Sequence, residues 1–254
     1  MTASVTTLDE PPQPQGRTAA RRLFIGLLAA VIVAAVLVAL AAVVIVSRID
    51  AGRHTKVAPL GDTTAASVDI TGGVTSVTVR TADLDSDLYR ISTPGDSAQL
   101  PVVSTVDRST VAVRTEGGGP GQLQVLLSSR VTWRVRLSGG ATDAKMDLRG
   151  APVSGVALAS GVSTAELWLP EPRGLVEVSE TGGTNGLVLH VIARVPVKVT
   201  VDGGAGTATL DGTTHTGVPA GTTYQPEGWE TVTDRYDVRL VGGVSHVDLD
   251  RFAG

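Results

Sequence analysis

The sequence contains no cysteine, and this absence removes several classes of site at once. A chain without thiols cannot form disulfide bonds, thiolate metal centres or a cysteine nucleophile. Aromatic residues make up only 3% of the chain, whereas Gly, Val and Thr are abundant, which is typical of thin β-layers. The Gly-x-Ser-x-Gly, His-Glu-x-x-His and Gly-Lys-Ser/Thr motifs are also missing. We therefore expect a protein that is not an enzyme and that holds no cofactor or metal.

Charged and strongly polar residues are absent from one long stretch, Leu23 to Val46. As a helix, these 24 residues would span about 36 Å, enough for a hydrocarbon core of about 30 Å. The sequence thus predicts a disordered tail over 1–22, a transmembrane helix over 23–46 and a linker over 47–61. Two arginines, Arg21 and Arg22, abut the span directly, which favours a single-pass membrane protein with its C-terminal domain outside the cytoplasm.

The domain that follows, residues 62–254, carries 15 basic and 22 acidic residues, a net charge of −7. Nucleic-acid binding needs a basic footprint on the protein surface, so this balance argues against such a partner. Flat adhesion to an anionic lipid leaflet is disfavoured for the same reason.

A short phrase recurs four times in this domain, and its glycine reference positions are 140, 161, 183 and 204. The steps of 21 to 22 residues indicate a stacked repeat fold. Apolar residues alternate on both sides of each glycine corner, which predicts two strands in every unit and leaves no room for a helix. The predicted fold is therefore all-β, a single-stranded β-solenoid (β-helix) over residues 62–254. At this period we expect about nine rungs, stacked at about 4.8 Å.

Stacking places residues of equal offset in one outward column, and one such column combines Asp147, Trp168, His190 and Asp211. Trp168 could stack on a sugar while the carboxylates accept hydrogen bonds from its hydroxyls, or the two Asp could form the acid/base pair of a β-helix carbohydrate enzyme. The alternative is an ordinary solvated face. Three rungs would separate Asp147 from Asp211, roughly 14 Å, which is too far for either glycosidase geometry.

A second candidate site is a strip of three arginines, Arg130, Arg134 and Arg136, which alternate with apolar residues and so should face outward together. Such a strip could bind an anionic polymer of the cell envelope. It could equally be a charged edge that prevents aggregation.

The Gly-Gly units, together with the closing stretch from Pro226 to Val238, resemble those of the bacterial "putative adhesin" or toastrack family. The resemblance covers residues 62–254 and implies a β-solenoid, often tethered to a transmembrane helix, that acts as a non-enzymatic scaffold or sensor. It implies no active-site residues.

These observations predict a membrane-anchored, non-enzymatic solenoid that binds or senses a cell-envelope component or scaffolds partner proteins. The expected partners are the lipid bilayer, through Leu23–Val46, and an envelope polymer or a membrane protein. A carbohydrate-active enzyme or glycan-binding module and a passive structural stalk are the alternatives.

Overall fold

The computed structural model describes residues 53–106, 109–118 and 121–253. The predicted tail, the predicted transmembrane helix and the first part of the predicted linker lie outside these residues. Within the described part, no helix is long and apolar enough to cross a membrane. The first strand begins at Arg53, so the folded domain starts inside the segment predicted to be a linker.

The described residues form nineteen strands and one short 3₁₀ helix, Trp229–Thr231. The strands are β1 (Arg53–Pro59), β2 (Ala65–Ile70), β3 (Val74–Ala82), β4 (Asp87–Pro94), β5 (Leu100–Thr105), β6 (Thr110–Glu116), β7 (Gln122–Ser128), β8 (Thr132–Leu137), β9 (Ala141–Asp147), β10 (Val153–Leu158), β11 (Val162–Trp168), β12 (Leu175–Glu180), β13 (Thr184–Ile192), β14 (Val197–Val201), β15 (Ala205–Leu210), β16 (Thr213–Val218), β17 (Thr222–Tyr224), β18 (Arg235–Leu240) and β19 (Val244–Phe252).

Two sheets face each other across the core. Sheet A has the strand order β1-β4-β7-β3-β9-β11-β13-β19-β15-β16, and sheet B has the order β17-β14-β18-β12-β10-β8-β2-β6-β5. Strands in the middle of each sheet pair in parallel, as in β11 with β9 and β13. Each rung contributes one strand to sheet B and the next strand to sheet A, which confirms the predicted all-β, solenoid-like fold.

The rungs do not stack in chain order, and this differs from a simple repeat. The β2–β3 rung lies between the β6–β7 and β8–β9 rungs. At the other end, the β18–β19 rung lies between the β12–β13 and β14–β15 rungs. Seven two-strand rungs result in the described part, fewer than the predicted nine, because the remaining strands pair antiparallel at the two ends.

Antiparallel strands cap both ends of the stack. At one end β1 and β4 extend sheet A and β5 extends sheet B. At the other end β16 pairs with β15 and β17 pairs with β14. The ring of His215 in β16 lies 4.6 Å from that of Tyr224 in β17, so the two capping strands touch across the open end. These caps cover parallel edges that would otherwise accept another chain.

Alternation along each strand builds the core from columns of aliphatic side chains. In sheet A, Val79, Met146, Leu167, Leu189 and Leu249 stand in register and are at most 2% exposed. Each of these side chains buries its apolar surface against the rungs above and below. The intervening residues of the same strands point to solvent and form the outer faces.

One core column contains a charged residue. Its other members are Val113, Ile70, Leu137, Leu158, Leu240 and Val201, whereas the β12 rung places Glu180 there. Glu180 is 1% exposed and accepts a hydrogen bond from the backbone N–H of Gly183. Burial raises the pKa of its carboxyl, although the N–H groups of Gly183, Gly182 and Gly242 act in the opposite direction. A buried carboxyl therefore links the glycine corner of its own rung to that of the last rung.

Candidate functional site

The predicted polar column lies on the outer face of sheet A. Trp168 of β11 stands in register with Asp147 of β9 on one side and with His190 of β13 on the other. Asp250 of β19 follows His190, because the last rung is inserted at this point. Asp211 comes only after Asp250, since Leu210 pairs with Leu249. The structure thus brings three of the four predicted residues together and separates the fourth from them.

Both faces of the Trp168 indole are covered by neighbours from adjacent rungs. The His190 ring stacks on it with a centroid distance of 3.9 Å and an interplanar angle of 19°. From the rung on the other side, the guanidinium of Arg149 lies 4.4 Å from the indole centroid. Phe252 adds a tilted contact at 5.4 Å. The indole is therefore built into the face and does not offer a free stacking platform.

Each carboxylate at the ends of the column is paired with an arginine. Asp147 accepts hydrogen bonds of 2.8 and 2.7 Å from Arg149 Nε and Nη2, and this contact lowers the pKa of the Asp147 carboxyl. The carboxylate of Asp211 likewise accepts hydrogen bonds from Nε and Nη2 of Arg251. Four strand steps, about 19 Å, separate the two carboxylates. This spacing is wider than either glycosidase geometry, so the column does not form an acid/base pair.

A depression of about 480 Å³ lies next to this column, and we call it the Gly186 notch. Its lining includes Asp143, Lys145, Thr164, Glu166, Gly186, Val188 and His190. The notch exists because Gly186 replaces a side chain in an outward column that otherwise reads Ser76, Asp143, Thr164, His246 and Thr207. Beside Gly186, Val188 supplies an apolar floor in a column whose neighbouring members are Glu166 and Asp248.

Glu166 is the centre of the hydrogen-bonding network at the rim of the notch. Its carboxylate accepts a hydrogen bond from Trp168 Nε1 at 3.1 Å and lies 3.4 Å from both Lys145 Nζ and His190 Nε2. Partial burial raises the pKa of Glu166, but the Trp168 hydrogen bond and the charge of Lys145 outweigh it and lower the pKa overall. Glu166 is therefore an ionised acceptor whose position is fixed by three side chains.

Two residues before Glu166 in β11, the hydroxyl of Thr164 donates to Asp143 Oδ1 at 2.5 Å. Ionisable and hydroxyl groups thus converge around an apolar floor, which is the usual composition of a small-ligand site. None of the described His, Asp and Glu residues form a group of three that could hold a metal ion.

The predicted arginine strip is only partly assembled. Arg134 and Arg136 lie on the outer face of sheet B, in β8. Arg130 precedes that strand, in the turn after β7, and contacts Asp83 at 3.3 Å. Arg136 lies within 3.8 Å of Asp69, which stands beside it in β2. The strip therefore presents two arginines on one face, one of them next to a carboxylate.

No family model and no curated protein matches this sequence. Among solved structures, the fold is similar to that of a "putative cell adhesion protein" from Clostridium sporogenes, with a TM-score of 0.60 and 11% identity. The similarity covers 79% of this chain and 99% of that one. A "putative adhesin" from Bacteroides fragilis, at 11% identity, covers 79% and 98%, with a TM-score of 0.26. Another, from Parabacteroides merdae, at 8% identity, covers 78% and 97%, with a TM-score of 0.19. The first of these likenesses shows a shared β-fold.

Sequence reasoning missed the notch and the residues that support it. Glycines in the repeat were interpreted as corner residues, whereas Gly186 lies inside β13. Its position three residues after the corner glycine Gly183, at the place that Thr164 occupies in the preceding unit, is the signal that could have identified it. Asp250 could not have been placed in the column, because its neighbours depend on the insertion of the last rung.

Proposed function

We propose that this protein is a non-enzymatic binding module of the bacterial cell envelope, and that it binds through the outer face of sheet A. The observation that supports this proposal best is the preorganised rim around an apolar floor. Three side chains fix Glu166, and a fourth contact fixes Thr164 against Asp143. Groups that are already held in place lose little conformational entropy when a ligand binds.

An enzyme is the weaker interpretation of the same face. Asp147 and Asp211 are engaged by arginines and lie about 19 Å apart, so they do not flank one glycosidic bond. A passive stalk would have no use for a face with a notch and a fixed network. The described strands cap both ends of the stack, which leaves the faces of the sheets as the surfaces for partners.

We further propose that the predicted helix over Leu23–Val46 anchors the domain in the bilayer and that the domain lies outside the cytoplasm. This follows from the sequence, where 24 apolar residues precede the fold. To test it, a single cysteine at Glu227, an exposed position, would be probed with an impermeant maleimide in intact cells. Labelling before lysis is the expected result, and labelling only after lysis would place the domain in the cytoplasm.

The binding surface itself is tested by comparing two double variants of the full chain for retention of isolated envelope fractions. Trp168→Ala with His190→Ala removes the support of the sheet A face. Arg134→Ala with Arg136→Ala removes the two arginines of the sheet B face and serves as the matched control. We expect only the first pair to reduce retention. If only the arginine double variant loses retention, the binding site lies on sheet B and an anionic polymer is the favoured ligand.

A further inference from the structure

Gly186 is not required by the backbone conformation of β13. Its φ lies outside the left-handed region, and a Cβ built at this position would come no closer than 3.8 Å to another residue, the Cγ2 of Thr164. Contacts of this length are ordinary van der Waals contacts. By contrast, a Cβ at Gly182 or Gly139 would come within 2.2 Å of backbone atoms of a neighbouring rung. Gly139 and Gly182 are therefore needed for stacking, and Gly186 is not.

A glycine inside a strand also has a cost, because it lacks a side chain to pack and has more freedom to lose on folding. The equivalent position in the neighbouring rungs is occupied by Thr164 and His246. A threonine would suit an exposed strand position better than glycine does. The fold does not require a glycine at position 186. An open space above the sheet does require one, because any side chain would fill it.

We infer that the Gly186 notch receives one sugar ring of an envelope polysaccharide. This inference rests on the proposed function and names the ligand class of the same face. Val188 and the backbone at Gly186 form a floor for the apolar side of a ring. At the rim, Glu166 and Asp143 are hydrogen-bond acceptors, and Lys145 and His190 are donors. A sugar hydroxyl is both a donor and an acceptor, so it matches such a mixed rim.

The charges of the rim favour a neutral ring over an ionic ligand. Lys145 lies 3.4 Å from Glu166, so the lysine of the rim is already paired with a carboxylate. His190 lies between Glu166 and Asp250, at 3.4 and 3.8 Å. An anionic ligand would meet the carboxylates of Asp143 and Glu166 in the lining with one lysine, and Asp250 lies next to His190. Trp168, which was predicted to stack on the sugar, instead holds Glu166 and His190 in position.

The notch is tested with Gly186→Thr and the matched control Gly73→Thr in the full chain. Both glycines lie outside the left-handed region of φ, and a Cβ at either position has its nearest neighbour at 3.8 Å. Binding of soluble oligomers of N-acetylglucosamine, galactose and mannose would be measured by titration calorimetry, with thermal unfolding recorded in parallel. We expect Gly186→Thr to weaken sugar binding at least tenfold without lowering the unfolding temperature, and Gly73→Thr to bind like the wild type.

Val188→Thr provides a second variant if Gly186→Thr fails to fold, because it keeps the shape of the floor but makes it polar. It should weaken sugar binding several-fold. The inference is overturned if the wild type retains envelope fractions but binds none of these sugars, or if it binds them equally well with the notch filled. The first outcome leaves the proposed function intact. Retention of no envelope fraction at all would overturn the proposed function as well.

Discussion

Glu180 provides the sharpest test of how the core is built, because it is the one charged residue in a column of seven whose other members are aliphatic. No ion pair reaches it from the described residues, and its Oε2 is buried there without a hydrogen-bond partner. Replacing it by leucine gives it the side chain that Leu158 and Leu240 have on either side. Burial outweighs the three N–H groups in setting the pKa, so the folded state disfavours the charge. We expect Glu180→Leu to raise the free energy of unfolding by about 1 kcal/mol or more at pH 7.5.

The pH dependence of this gain follows from the direction of the pKa shift. A carboxyl with a raised folded-state pKa stabilises the fold most below its unfolded pKa, and this contribution is lost as the pH rises through the folded pKa. The difference in free energy of unfolding between Glu180→Leu and the wild type should therefore shrink on acidification. It should shrink by at most about 1.4 kcal/mol per pH unit within that window. Urea denaturation of both proteins between pH 4.5 and 7.5 measures the gap.

Glu177→Leu is the matched control, since Glu177 lies on the same strand but on its exposed side. The change in free energy of unfolding caused by Glu177→Leu should not vary with pH in the same way. A gap between Glu180→Leu and the wild type that stays constant over this range would refute the argument from burial. A loss of stability in Glu180→Leu at pH 7.5 would show that the N–H hydrogen bonds of the corner matter more than the cost of burying the charge.

Three further predictions concern the architecture. Ending the chain after Thr233 removes six large buried apolar side chains, worth about 9–18 kcal/mol of burial at about 1.5–3 kcal/mol each, so circular dichroism should show no cooperative unfolding. Gly139→Ala should destabilise the domain by about 1–3 kcal/mol, because its Cβ would lie 2.2 Å from the carbonyl oxygen of Gly72, whereas Gly140→Ala, with 3.4 Å of clearance, should be nearly neutral in the same urea titration. Trp133→Ala should cost about 3–5 kcal/mol, since the indole is fully buried and donates to the Ser128 carbonyl at 2.9 Å; a loss under 1 kcal/mol would contradict this.

The local structure of each rung could be predicted from the sequence, because alternation and glycine corners are local signals. Ala165 and Leu167 face the core as their spacing indicates, and Asp147, Trp168 and His190 stand side by side. These residues belong to consecutive rungs that do stack in chain order. Their placement needed only the period of the repeat.

The order of the rungs could not be predicted, because every rung presents the same alternating pattern to both of its neighbours. Nothing in the pattern of β18 and β19 distinguishes stacking outside β14 and β15 from stacking inside them. Asp211 was misplaced by one rung for this reason. Arg130 was misjudged for another, since the alternation was extended beyond the first residue of β8, Thr132.

The position of the last rung also has a consequence for synthesis. The segment Val197–Leu210 leaves the ribosome before β18 and β19, on which it stacks. At about 5–20 residues per second, the 42 residues from Leu210 to Phe252 take roughly 2–8 s to make. During that time the edges of β12 and β13 have no permanent partner, and β14 and β15 are the nearest strands available to them. Completion of the fold then requires β18 and β19 to enter between two layers that are synthesised before them, and we expect any early pairing between those layers to be displaced at this step.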